Sequence, residues 1–233
     1  MKKILEKHET MVCILLIVLY VVVNSYCLQN FGTTDYRSVI INTAFSAGLV
    51  LLMIFTKSTQ YYGLTRVRQW RKYLYFVPLL LIMTVNFWRG ISVSNSGAER
   101  LFHILTMVNI GFLEEIIFRG FLFRMMEKDN LKRAMIVSAL TFGIGHVVNL
   151  LNGADLIPTL LQICYAASLG YLFVVIFHKS KSIVPCIITH IVINASSIFA
   201  VENKSLSFIS SAFLIVVPLV YVIYLNKNVK PMN

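Results

Sequence analysis

LFHILTMVNIGFLEEIIFRGFL, residues 101–122, is an apolar run of membrane-crossing length that carries two adjacent carboxylates, Glu114 and Glu115, and one guanidinium, Arg119. About 20 mostly apolar residues cross the hydrocarbon core as an α-helix. A charge inside such a helix costs about 2.5–3.5 kcal/mol on insertion scales, so it marks a functional site by default. The bland alternative is a charge cluster at a helix end, with Arg119 snorkelling to the membrane surface.

Seven further runs share that apolar character: Met11–Cys27, Ser38–Phe55, Tyr73–Trp88, Ala134–Leu151, Thr159–Phe177, Ile183–Val201 and Ser207–Leu225. The third is the shortest. Across 233 residues the chain is 58% hydrophobic and 13% charged, with a mean hydropathy of +0.75. A soluble domain carries about 25% charged residues. These values exclude a disordered chain, a nucleic-acid arm and an ordinary cytosolic globule. We therefore expect an all-α polytopic membrane protein, with residues 1–233 forming one integral membrane domain. The net charge of +11 requires no nucleic-acid partner, because basic cytoplasmic loops give the same number. Cys13, Cys27, Cys164 and Cys186 show no CxxC spacing and read as small core residues.

Lys2, Lys3 and Lys7 precede the first run, which has a long apolar core and no small-x-small cleavage site. It reads as an uncleaved signal-anchor. With the N-terminus inside, seventeen of the Lys and Arg residues fall in cytoplasmic segments and four (Arg37, Arg89, Arg100 and Lys204) fall outside. One missed span inverts every later loop, so this asymmetry predicts eight transmembrane helices with both termini cytoplasmic. The loop Lys57–Lys72 mixes bases with Tyr61, Tyr62, Leu64 and Trp70. It fits an interfacial helix in the headgroup layer, and fits equally a solvated loop with an aromatic belt.

Helix geometry separates the charges of span four. Glu115 and Arg119 are i, i+4 with the acid N-terminal, so they share a face and pair. Glu114 points about 100° away and lacks that partner. Span five carries Phe142-Gly-Ile-Gly-His146, and span seven carries His190-Ile-Val-Ile-Asn194, again i, i+4. Counted from the cytoplasmic ends at 1.5 Å per residue, Glu114 lies about 12 Å deep, His190 about 10 Å, Asn194 about 16 Å and His146 about 18 Å. One layer holds all four, so spans four, five and seven can gather them around a water-filled pocket. His8, His103 and His178 lie near helix ends and read as solvated. Asn86, Asn109, Asn149 and Gln162 read as interhelical hydrogen-bonding groups, and Ala166, Ala167, Ser168 and Gly170 as a close-packing face. Pro185 suits the first turn of span seven, and Pro218 predicts a kink in span eight.

The ordered set Glu114-Glu115-Ile-Ile-Phe-Arg119, Phe142-Gly-Ile-Gly-His146 and His190-Ile-Val-Ile-Asn194 resembles the CPBP family, the CAAX proteases and bacteriocin-processing enzymes also called Abi proteins. The likeness covers roughly residues 101–200, the catalytic motif core, and is complete at every motif position. It implies an eight-helix intramembrane endopeptidase. By the same resemblance Glu114 is the general base that activates water and His146 helps to position or deprotonate that water. His190 and Asn194 form an oxyanion hole, while Glu115 and Arg119 order the helix and Phe142 supports the site. The chemistry is coherent: a carboxylate in an apolar pocket suits base catalysis near neutral pH, and fixed neutral donors stabilise a developing oxyanion.

Glu114, His146 and His190 also make a conceivable three-ligand zinc site with water in the fourth position. No HExxH is present, and the motif fits a metal-free glutamate base equally, so no cofactor is assigned. The partners expected are the lipid bilayer and a lipidated or hydrophobic peptide or protein substrate within it. Short loops and richness in Lys, Ile and Asn look bacterial, which suggests the plasma membrane and a role in bacteriocin or peptide maturation or in self-immunity. A non-catalytic immunity or scaffold protein of the same fold and a proton-coupled transporter are the competing classes. A transporter usually shows repeated halves or interrupted helices, and neither is visible here.

Overall fold

The computed structural model describes residues 8–67 and 76–231. Lys2, Lys3, Lys7, Arg68, Trp70, Arg71, Lys72 and the start of the third apolar run at Tyr73 lie outside the described residues. The described chain is helical. Helix α1 spans Glu9–Asn30 and α2 Tyr36–Phe55. Helix α3, Val77–Met83, continues in 3₁₀ turns over Val85–Arg89. Helix α4, Gly97–Glu115, passes into a π-helical segment, Ile116–Phe123, and a last α turn, Arg124–Glu127. Then come α5 (Leu131–Gly145), α6 (Leu156–Ser180), α7 (Val184–Ser196) and α8 (Lys204–Asn228). The only extended pairing among the described residues is a single bridge between Ile91 and Ala200.

The sequence sets these boundaries locally. Ser96 and Glu99 form a capping box at α4, each side chain bonded to the other's backbone N–H. Asp35, Asn130 and Asn203 cap α2, α5 and α8 through their side-chain oxygens. Pro185 lies in the first turn of α7, as expected. Helix α8 runs without a break through Pro218.

Among the described residues six helical stretches are long and apolar enough to cross a membrane: Glu9–Asn30, Tyr36–Phe55, Gly97–Glu127, Leu131–Leu151, Leu156–Ser180 and Lys204–Asn228. Val77–Arg89 and Val184–Phe199 are shorter, roughly 20–24 Å at 1.5 Å per residue. Among the described residues the eight apolar runs of the sequence thus give six full-length candidates and two shorter helices. Outward faces are studded with exposed apolar side chains, among them Ile14, Val18 and Val22 on α1 and Val216, Val220 and Ile223 on α8. An exterior of that kind needs lipid, not water, as its solvent.

The most buried stretch is the end of α4 and the π segment, flanked by α5, α6 and α7. Close approach depends on small residues. A Cβ on Gly143 of α5 would stand 2.8 Å from the Ala167 side chain and 2.8 Å from the Ile163 carbonyl on α6. The small-residue face read from span six is the surface that α5 packs on. Cys13, Cys27 and Cys186 are buried as expected, whereas Cys164 is exposed. It points off the outer side of α6, where an apolar neighbourhood in sequence does not mean burial in protein.

Candidate active site

Glu114 and Glu115 occupy the last α-helical turn before the backbone widens into the π segment. Such segments recur at functional sites, because the extra residue re-aims the side chains beside it. The hydroxyl of Ser138 on α5 donates to the Phe118 carbonyl of the widened stretch at 2.8 Å. This crosslink satisfies a backbone group and ties α5 to it.

The Glu115–Arg119 pair is present. Both side chains are fully buried, and Arg119 Nη1 lies 3.1 Å from Glu115 Oε1. The guanidinium stacks over Phe142 at 4.1 Å and lies 5.7 Å from the Phe173 ring. Gly170 on α6 leaves room for it, since a Cβ there would stand 2.9 Å from Arg119 Nη2. Glu115 has a second duty that the sequence did not show. Its Oε1 accepts from His190 Nδ1 at 2.8 Å. A carboxylate only accepts, so this nitrogen carries a hydrogen.

Glu114 is not left without partners. The Tyr20 hydroxyl of α1 donates to its Oε1 at 2.6 Å, and His190 Nε2 stands 3.2 Å from its Oε2. The imidazole of His190 therefore lies between two adjacent carboxylates, hydrogen-bonded to Glu115 through Nδ1 and 3.2 Å from Glu114 at Nε2. Tyr20 was missed because it sits in a uniformly apolar run. The available signal was a phenol hydroxyl deep in that run, which needs a partner when buried.

His146 caps the C-terminal end of α5, and its Nδ1 lies 3.2 Å from the Phe142 carbonyl. Donation from Nδ1 leaves Nε2 as a free acceptor. The Phe142 ring meets His146 edge-on at 5.3 Å and His190 at 5.6 Å, so one aromatic plate spaces both imidazoles. Asn194 contributes its backbone carbonyl to Ser197 at 2.7 Å and to His103 at 3.3 Å. Among the described residues its side-chain amide makes no hydrogen bond. Glu114, His146, His190 and Asn194 all line one cavity of about 430 Å³, together with Tyr20 and Phe142. The four residues placed at one depth by counting are thus brought to one space.

His103 departs from its expected solvated state. It is buried, with Nδ1 3.0 Å from the Thr33 hydroxyl and Nε2 3.2 Å from that of Ser197. It fastens α4 to the loop after α1 and to the end of α7. His178 is half-buried, 3.8 Å from Glu127, while His8 is exposed. The interhelical role expected of the amides holds: Asn86 bonds the Ile193 carbonyl at 2.6 Å, Asn109 the Thr43 hydroxyl at 3.0 Å, and Asn149 the Gln162 side chain at 2.9 Å.

Among the described residues no three His, Cys, Asp or Glu side chains are placed to hold a metal ion, although Glu114, His146 and His190 share one cavity. Glu114 and His190 are engaged with each other and with Tyr20 and Glu115, and His146 turns Nδ1 to its own helix. The donor set in this arrangement does not fit zinc.

Residues 96–196, from the cap of α4 to the last residue of α7, match the family described as type II CAAX prenyl endopeptidase, Rce1-like. The segment contains all three motifs, and the family is the one they resemble. The protein is a multi-pass membrane protein whose residues 96–196 are similar to that family of intramembrane proteases. No curated protein and no solved structure matches the chain.

Proposed function

We propose that the chain is an intramembrane endopeptidase that hydrolyses a peptide bond in a lipidated or hydrophobic substrate, using water activated by Glu114. The observation that carries this reading is the convergence of Glu114, His146, His190 and Asn194 on one cavity within an apolar bundle. A scaffold has no use for such a set. A transporter would need a polar path beyond this layer, and a locked pair of buried charges is a poor moving part.

In the proposed step a water in the cavity lies between Glu114 and the free Nε2 of His146. Glu114 removes a proton as the water oxygen attacks the scissile carbonyl carbon. The Asn194 amide donates to the oxygen that becomes negative, and His190 Nε2 lies on the same side to share the proton that Glu114 holds. Collapse of the tetrahedral intermediate breaks the C–N bond, and that proton passes to the leaving amine. Tyr20 keeps one lobe of Glu114 occupied, so the other faces His190. All eight apolar runs insert in this reading, the short α3 and α7 framing the cavity, with both termini cytoplasmic. A bacterial plasma membrane and peptide maturation or self-immunity form the proposed setting.

The test is cleavage of a quenched-fluorescent apolar peptide, with and without a prenylated cysteine, by the full chain in proteoliposomes. Glu114→Gln keeps the shape and loses the base, so turnover should fall about 10²–10⁴-fold while the melting temperature stays near wild type. Wild-type turnover in that variant would remove Glu114 from the chemistry.

A further inference from the structure

Arg89 lines the same cavity as Glu114, at the end of α3. Its guanidinium has neutral partners only: Nη2 donates to Asn86 Oδ1 at 3.0 Å, and Nη1 to the Ser207 hydroxyl at 3.2 Å. Its Nε is buried without a partner, and no acidic side chain pairs with it among the described residues. A guanidinium has five donors in a planar fork that matches a carboxylate. A partly buried cation held at a cavity wall without a counter-charge is a ready anion partner, and the proposed reaction leaves it no task.

The group is also held in place. Asn86, which accepts from Arg89, donates in turn to the Ile193 carbonyl at 2.6 Å and the Ser196 hydroxyl at 2.9 Å on α7. These α7 residues lie three and six positions beyond His190, roughly 5–9 Å along the helix. An extended peptide covers that span in about two or three residues. Ser210 and Ser211 of α8 line the cavity as well.

We propose that Arg89 is a carboxylate-binding subsite that positions the substrate, gripping an anionic group a few residues downstream of the bond that Glu114 attacks. The carboxylate is supplied either by the C-terminus of the peptide or by an acidic side chain near it. The inference rests on the peptidase reading for its role, but binding alone can detect it.

Three fluorescent ten-residue peptides of Leu, Ala and Ser test it: a free acid, the same peptide amidated, and an amidated peptide whose last residue is Glu. Binding is measured on the Glu114→Gln protein in phosphatidylcholine nanodiscs, and cleavage on the wild-type chain in proteoliposomes. The free acid should bind roughly 10–100-fold more tightly than the amide, the worth of one charge-assisted bonded pair. Arg89→Gln should bring that ratio close to one, and Arg89→Lys should restore part of it. If the Glu-terminated amide equals the free acid, the subsite stands and takes a side chain; if it behaves as the plain amide, the subsite stands and reads the chain terminus. Equal binding of all three by the parent protein overturns the subsite, whatever is cleaved, and needs no Arg89 variant. A preference in binding with no cleavage keeps the subsite and sinks the peptidase. If Arg89→Gln changes only the response to added phosphatidylglycerol, Arg89 is a headgroup anchor and the proposal fails.

Discussion

Consider removal of Glu115, alone and with Arg119. Both side chains are wholly buried 3.1 Å apart. Glu115→Ala leaves a guanidinium facing Phe142 and Phe173 with no counter-charge, which costs about 3–5 kcal/mol. Total stability is about 5–15 kcal/mol, so the variant should be crippled. Arg119→Ala leaves Glu115 with only the His190 Nδ1–H at 2.8 Å and opens a void beside Gly170, with a loss of similar size. In the double variant both charges are gone, and only the void and the His190 bond remain as debits. Contacting pairs show couplings of about 0.5–3 kcal/mol, and a fully buried pair belongs at the upper end. At about 2–4 °C per kcal/mol for a chain of this size, each single variant should melt about 6–20 °C lower in detergent. The double should melt no more than a few degrees below the worse single. Summing of the two shifts would refute the pair as a charge lock. Glu115→Gln separates its duties: it keeps an acceptor for His190 but not the charge, so it should lose stability and retain more activity than Glu115→Ala.

Tyr20→Phe removes the donor to Glu114, so turnover in proteoliposomes should fall about 10–100-fold, the worth of a bond to a charged group; unchanged turnover with a lowered melting temperature would make Tyr20 a packing residue only. Asn194→Ala should lower kcat about 10²–10³-fold with KM little altered, and phenanthroline should leave the wild type active; chelator-sensitive activity with stoichiometric bound zinc would overturn the metal-free mechanism. Gly143→Ala drives a methyl against the Ile163 carbonyl and Ala167, 2.8 Å from each, and should cost about 1–3 kcal/mol, read as a melting point several degrees lower with the site chemistry intact.

Period and depth made much of this site legible. Apolar run length gave the helices, and residue counting along them put Glu114, His146, His190 and Asn194 at one level before any packing was known. The Glu115–Arg119 pair followed from spacing alone. Contacts between distant segments were not legible. Tyr20 lies 94 residues from Glu114, and nothing in the apolar run around it names its partner. His103 looked solvated because depth along a helix says nothing of which face is buried; its partners Thr33 and Ser197 come from other segments. The π segment escaped because a reading at 3.6 residues per turn assumes the bonding it replaces. Span seven was counted as full length because Ala200 and Val201, beyond the end of α7 and its 3₁₀ turn, are apolar without being helical.

Two neighbouring carboxylates in one helix serve opposite ends only because their surroundings differ. Glu115 faces inward, fixed by Arg119 and by the His190 Nδ1–H, with no contact to the cavity wall. Glu114 faces the cavity, with a phenol on one oxygen and an imidazole near the other. His190 joins them, so the charge that locks the helix also sets which nitrogen of that imidazole meets the reacting carboxylate. Exchanging the two acids by moving the arginine one position would therefore not transfer the function. In the proposed mechanism the base is set up by five residues, Tyr20, Glu114, Glu115, Arg119 and His190, beside which His146 and Asn194 complete the site. These five act through three helices and a backbone widening that begins one residue after the second acid.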